Sequence, residues 1–143
     1  MARRLNILLI NHYAGTPSLG MEYRPYYLAR EWVRAGHRVT VVAANFSHVR
    51  THQPQAGEEE VDGITYHWLP TPCYQGNGLG RVKNIWSFLR QVWQLTPALV
   101  AACKPDVVIA SSTYPMDIWV ARRMARLAGA RLVYEVHDLW PAS

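Results

Sequence analysis

Residue types able to do chemistry gather just beyond short apolar runs. After Leu5-Asn6-Ile7-Leu8-Leu9-Ile10 come Asn11 and His12, then a glycine-bearing loop ending in Ser18-Leu19-Gly20-Met21-Glu22-Tyr23-Arg24. After Asp106-Val107-Val108-Ile109-Ala110 come Ser111, Ser112, Thr113, Tyr114 and Pro115, and after Arg131-Leu132-Val133-Tyr134-Glu135-Val136 come His137 and Asp138. In the first loop Gly20 lets a ligand approach the backbone closely. The N–H groups that follow point out of a helix start, which suits an anionic oxygen. A plain turn with Ser18 capping the helix explains the same residues. Ser111, Ser112 and Thr113 at a later helix start can bind a sugar or phosphate, or serve only as caps. The imidazole of His137 is a group that can orient a hydroxyl or act as acid or base. Neighbours on an extended segment point to opposite faces, so a direct His137–Asp138 pair is not expected. A structural histidine, with Asp138 in an Asx-turn, accounts for the two as well. His12 is a weaker candidate of the same kind.

Several chemistries are excluded by what the chain lacks. There is no GxGxxG and no GxxxxGK[ST], so neither a dinucleotide fingerprint nor a P-loop is present. No GxSxG and no recognisable Ser/His/Asp spacing occurs. Cys73 and Cys103 stand alone, without the spacing of a zinc site or a disulfide framework, which fits a reducing cytosol. No metal and no organic cofactor is expected.

These residues must be positioned by a regular scaffold. The first apolar run, an amphipathic stretch from Arg24 to Ala35, the break at Gly36-His37 and the run Arg38 to Ala44 read as strand, loop, helix, turn, strand. That is the opening unit of a parallel sheet, which binds ligands in the crevice beyond the carboxyl ends of its strands. The first helix has its apolar stripe at Leu28, Ala29, Trp32 and Val33. Asn45 to Asp62 reads as a polar connection, with Glu58-Glu59-Glu60 in a solvated loop. Ile64 to Leu69 is the third strand. A helix follows over Val82 to Leu95, with an expected buried stripe at Val82, Ile85, Trp86, Leu89 and Trp93. Thr96-Pro97 reads either as a new helix start or as a kink. Asp106 to Ser111 is a strand covered on both faces. Pro115 to Ala128 is a helix with Met116, Trp119, Val120, Met124 and Leu127 facing inward, and Arg131 to Val136 is the last strand. Strands alternate with helices, so the class is α/β: a Rossmann-like, doubly wound, three-layer and mainly parallel sheet. Right-handed crossovers give it the strand order 3-2-1-4-5.

The chain has 143 residues, one domain's worth; half are hydrophobic, 17% are charged, and the net charge is +5. A core is affordable and disorder is excluded. The positive balance suits an acidic partner, or merely solvated arginine faces. Nucleic acid is not expected, because the aromatics fall at helix-core spacing rather than on a strand platform. Met1-Ala2-Arg3-Arg4 mimics a signal peptide, but the apolar run that follows is too short and is ended by Asn11-His12. No segment approaches the ~20 apolar residues of a spanning helix. Trp86 and Trp93, with basic neighbours, can meet an anionic membrane surface. Burial against the sheet explains the same stripe and is the expectation.

Several phrases together resemble the N-terminal domain of family 4 glycosyltransferases, enzymes of two Rossmann-like domains in the GT-B arrangement. They are Ile7-Leu8-Leu9-Ile10-Asn11-His12-Tyr13, Gly20 through Glu31, Gly36-His37-Arg38-Val39-Thr40-Val41-Val42, Asp62-Gly63-Ile64, Lys104-Pro105-Asp106-Val107-Val108-Ile109 with its serines, and Glu135-Val136-His137-Asp138-Leu139-Trp140-Pro141. The likeness is to transferases that build O-antigen and other surface polysaccharides, N-acetyl-fucosaminyl-type enzymes among them. It implies sugar transfer from a nucleotide-sugar, a substrate rather than a cofactor, with retention at the anomeric carbon. The implied acceptor is a glycan carried on a polyprenyl diphosphate, and the implied location is the cytoplasm or the inner face of the plasma membrane. It implies that Gly20 and Met21 approach donor phosphate or acceptor and that His137 contacts the transferring sugar. Glu22, Arg24, His12, Ser112, Thr113 and Asp138 complete the expected substrate-binding set. It further implies that residues 1–143 form one acceptor-binding domain, truncated, with the donor-binding domain elsewhere, and that they transfer no sugar alone. Two other readings stay open: a nonenzymatic α/β binding module, and half of a nucleotide-sugar epimerase.

Overall fold

The computed structural model describes residues 4–19, 23–46, 52–73, 78–112 and 114–135. Its elements in chain order are β1 (Asn6–Ile10), α1 (Arg24–Arg34), β2 (Arg38–Ala44), β3 (Gly57–Val61), β4 (Ile64–Leu69), α2 (Leu79–Cys103), β5 (Val107–Ala110), α3 (Asp117–Ala128) and β6 (Arg131–Tyr134). They form one six-stranded sheet in the order β3-β4-β2-β1-β5-β6. Every pairing is parallel except β3 with β4. The five strands anticipated from sequence keep their order, and β3 is added at one edge.

Side chains on a strand alternate between faces, and β1 shows the consequence. Leu8 and Ile10 pack with Val42, Leu69 and Val108 against α2 and α3. Ile7 and Leu9 pack with Val39, Val41, Tyr66 and Trp68 against α1. The result is three layers with β1 central. Full burial of each large aliphatic side chain is worth about 1.5–3 kcal/mol, so these two clusters carry most of the favourable energy.

The acidic triplet corrects the sequence reading: Glu58, Glu59 and Glu60 lie within strand β3 rather than in a loop. The cause is the turn behind them. Asp62 and Gly63 both have positive φ, 52° and 81°, the combination a two-residue type I′ hairpin requires. The hairpin folds Glu59 back opposite Tyr66, where its carboxylate accepts a 2.9 Å hydrogen bond from Trp68 Nε1. Charge on an edge strand also discourages pairing with another chain.

Helix α2 brings two more corrections. It runs unbroken for 25 residues through Pro97. Its buried residues are Asn84, Phe88, Leu89, Val92, Thr96 and Leu99, so the inward stripe is turned toward Phe88 and Val92. Trp86 and Trp93, expected inside, are about half exposed, and so are Trp119 and Leu127 of α3. Pro97 has no N–H for the Trp93 carbonyl, and Arg123 Nε of α3 donates to that oxygen at 3.4 Å. In α1 the buried residues are Pro25, Tyr26 and Ala29, with Trp32 and Val33 only partly covered. Strand β6 is exposed along its whole length.

The hairpin turn makes a direct prediction. A Cβ on Gly63 would stand 3.0 Å from Val33 Cγ1, at a φ that L-residues avoid. Gly63→Ala should therefore lower unfolding free energy by about 1–2 kcal/mol in urea titration. An unchanged midpoint would mean that the turn does not constrain the β3–β4 edge.

Candidate functional site

Strand β1 lies between β2, reached through α1 on one face, and β5, reached through α2 on the other. In an open sheet of this topology ligands bind beyond the carboxyl ends of the strands at this point, where the loops after β1 and β5 leave the sheet. Backbone groups there have no further ladder partners, so side chains must satisfy them. Asn11 does this for both loops. Its Nδ2 donates to the Ser111 carbonyl at 2.9 Å and to Ser111 Oγ at 3.3 Å. Its Oδ1 accepts from Tyr13 N–H at 3.0 Å, closing an Asx-turn. His12 N–H donates to Ser112 Oγ at 3.0 Å, and Ser112 N–H donates to Asp117 Oδ2 at 2.9 Å.

The network continues to the β6 side. Ser111 Oγ donates to Glu135 Oε1 at 3.3 Å, and the Glu135 N–H donates to the Ala110 carbonyl at 2.9 Å. The same Glu135 oxygen pairs with Arg24 at the start of α1. The loops after β1 and β5 thus meet Glu135, the residue following β6, along one rim, with Arg24 at its mouth. Arg81, in the first turn of α2, reaches Tyr13 Oη at 3.3 Å and adds a second cation nearby.

His12 is fully buried in the wall of this rim. Its ring lies 4.7 Å from Phe88 and 4.5 Å from Tyr13, centroid to centroid. Nε2 bonds to Asn84 Oδ1, and Nδ1 lies 2.8 Å from Tyr114 Oη. Asn84 Nδ2 donates to the Pro72 carbonyl at 2.7 Å, so Oδ1 must face His12. Nε2 is then the protonated nitrogen, and Tyr114 donates to Nδ1. Both ring nitrogens are thus engaged within the protein, and His12 ties β1, α2 and the β5 loop together. Ser112 is likewise buried and bonded within the wall. Among the described members of the expected set, Arg24 is the one that meets solvent. Gly20, Met21, Glu22, Thr113, His137 and Asp138 lie outside the described residues. Among the described residues, no group of three His, Cys, Asp or Glu side chains could hold a metal ion.

Sequence reasoning missed Asn84, Tyr114, Asp117, Glu135 and Arg81. A signal existed for one of them: Asn84 is a lone amide in register with Phe88 and Val92. Asp117 is the most strained electrostatically. It is fully buried at the first turn of α3, and its Oδ1 has no hydrogen-bond partner. Burial pushes its carboxyl up to about 6, against the N–H groups of Ser112, Ser111 and Asp117 itself, which pull it down.

The glycosyl transferase 4-like domain family matches residues 20–143. The chain belongs to that family. A search of curated proteins gives no match. Two crystal structures of the C-terminal domain of a Pyrococcus furiosus hydrogenase resemble this glycosyl transferase 4-like domain in fold. One has a TM-score of 0.58 at 15% identity, covering 94% of this chain and 96% of that one. The other has a TM-score of 0.57 at 14% identity, covering 91% and 89%. At such identity the likeness concerns the fold alone.

Two outcomes follow from the wall of the rim in this glycosyl transferase 4-like domain. Asn84→Leu keeps the branched side-chain shape but strands His12 Nε2 and the Pro72 carbonyl, and should cost about 1–3 kcal/mol in chemical denaturation. Asp117 binds its proton more tightly folded than unfolded, so its contribution to stability falls as pH rises from about 4 to about 6. The stability of Asp117→Asn relative to the parent should therefore rise by roughly 2 kcal/mol between pH 4 and pH 7. A pH-independent difference would show that the carboxyl titrates normally.

Proposed function

We propose that this chain is the acceptor-binding part of a retaining glycosyltransferase acting in the cytoplasm in surface polysaccharide synthesis. The reaction breaks the bond between the sugar anomeric carbon and the phosphate of a nucleotide-sugar. It forms a glycosidic bond from the same carbon to a glycan acceptor, itself carried on a polyprenyl diphosphate. Membership in the glycosyl transferase 4-like family is the observation that carries this reading, since sugar transfer is the chemistry the family is described by.

The rim supports it in detail. Glu135, partly exposed at the mouth, ends a continuous polar row whose buried members Ser111 and Asn11 hold its carboxylate in place, and a carboxylate is a group that recognises sugar hydroxyls. Arg24 and Arg81 supply positive charge beside that row, suited to phosphate oxygens. In this proposal His137 contacts the transferring sugar, Gly20 and Met21 let the substrate approach the backbone, and Glu22, Thr113 and Asp138 take part in substrate binding. The main contacts to donor nucleotide are assigned to a second domain, so residues 1–143 bind acceptor without completing transfer.

The test uses the chain itself. A lipid-linked oligosaccharide acceptor titrated into isotopically labelled residues 1–143 should shift the amide resonances of Asn11, Ser111 and Arg24 first. Arg24→Ala should weaken that binding about tenfold, the loss of one charge-assisted contact. No sugar release from a panel of nucleotide-sugars is expected without the second domain. Efficient turnover by residues 1–143, or acceptor shifts confined to the opposite end of the sheet, would overturn the assignment.

A further inference from the structure

The outward face of the α2–α3 pair is unlike the rest of the surface. Trp86, Trp93 and Trp119 are 48%, 47% and 54% exposed. Trp86 and Trp119 stack across the two helices with centroids 6.2 Å apart and planes 23° from parallel. The Arg123 guanidinium lies over the Trp93 ring at 4.6 Å, held there by its bond to the Trp93 carbonyl that Pro97 leaves open. Trp86, Leu89, Arg90, Trp93, Met116 and Trp119 line an apolar groove of about 270 Å³ between the helices. A second cleft, between Trp93, Trp119 and Arg122, Arg123 and Arg126, adjoins it. Lys83 and Arg90 continue the positive margin along α2. Helix α2 contains no carboxylate, and the one in α3, Asp117, is buried.

We infer that this face docks onto an anionic lipid bilayer. The partner must be negative over a broad area, since lysine and arginine are spread over both helices without an exposed carboxylate between them. It must also be apolar just beneath that negative layer, since three half-exposed indoles stand among the cations. A bilayer bearing anionic headgroups has both properties at the right depths, and tryptophan favours that boundary. Each cation near such a surface contributes on the order of 1 kcal/mol. Helix α2 is about 37 Å long at the standard rise and can lie flat on the surface. None of the helices among the described residues is long and apolar enough to cross a membrane, so the contact is interfacial. Single-stranded nucleic acid would need open ring faces for base stacking. Here one face of Trp86 is turned to Trp119, and one face of Trp93 is taken by Arg123.

Docking by this face does not depend on the rim being a sugar site, although the two fit together. Helix α2 begins beside the rim, at Arg81 and Asn84. A bilayer under α2 and α3 would bring a lipid-anchored acceptor close to Arg24 and Glu135.

The experiment is co-sedimentation of the purified chain with phosphatidylcholine vesicles, with and without about one third phosphatidylglycerol, at moderate salt. Binding should require the anionic lipid, weaken as salt rises, and shift tryptophan emission to shorter wavelength. Arg122→Glu with Arg126→Glu should reduce binding by more than about tenfold. Trp86→Ser with Trp119→Ser should also reduce binding with every charge retained, by about tenfold. Arg34→Glu with Arg38→Glu, the same charge change away from this face, should leave most binding intact. Circular dichroism melts confirm that each variant folds. Failure to bind anionic vesicles, insensitivity to both face variants, or tryptophan-dependent binding to a single-stranded oligonucleotide but not to vesicles would overturn the inference. Acceptor shifts at the rim without vesicle binding would sink the docking and leave the enzymatic reading standing.

Discussion

Buried polar groups cannot be left without partners, and that constraint organises this molecule where β1 and β5 part. The sheet ladder ends there, yet the backbone is still enclosed by helices on both faces. Asn11, Ser111, Ser112 and Asp117 take over from the ladder, each satisfying a group on a neighbouring loop. His12 and Asn84 do the same between the sheet and α2. A buried amide or imidazole costs several kcal/mol unless bonded, so the geometry of the rim is over-determined rather than loosely packed. Glu135 and Arg24 at the mouth inherit their positions from that rigid wall.

The same constraint explains why α2 sits as it does. Burying Asn84 against His12 fixes the rotation of the helix about its axis. Phe88, Val92, Thr96 and Leu99 then face the sheet, and Trp86 and Trp93 are left on the margin. Thr96 Oγ1 returns a 2.7 Å hydrogen bond to the Val92 carbonyl, so its burial leaves no orphan hydroxyl. The helix continues through Pro97 because Arg123 satisfies the Trp93 carbonyl from α3. A polar contact at one end of α2 thereby sets the character of the surface at the other.

Much of the scaffold was legible in the residues. The parallel strands announced themselves as short β-branched runs punctuated by Gly36-His37, Pro70 and Lys104-Pro105. The third strand's partner was not recognised, because three consecutive glutamates outweigh any alternation. Asp62-Gly63 was the overlooked signal, since two adjacent residues suited to positive φ force a hairpin whatever precedes them. The α2 stripe was misplaced for a different reason. The helix is apolar over more than half its circumference, so periodicity admits several inward faces. At the site, the place of Ser112 and His12 after strands is plain in the sequence, but their bonding inside the wall is not, because their partners lie on distant segments.

What the sequence determined by itself was the alternation of strand and helix, and hence a parallel sheet with its loops on one edge. Those features follow from local geometry: side-chain period, turn residues and the handedness of crossovers. Only the tertiary structure decided which side of α2 is buried, which nitrogen of His12 carries its proton, and that Glu135 joins Arg24 to the β5 loop. Each depends on partners far apart along the chain, 72 residues for His12 and Asn84 and 100 for Asn11 and Ser111. A chain can encode such a meeting without any local pattern that reveals it, because the energy appears only when both groups leave water together.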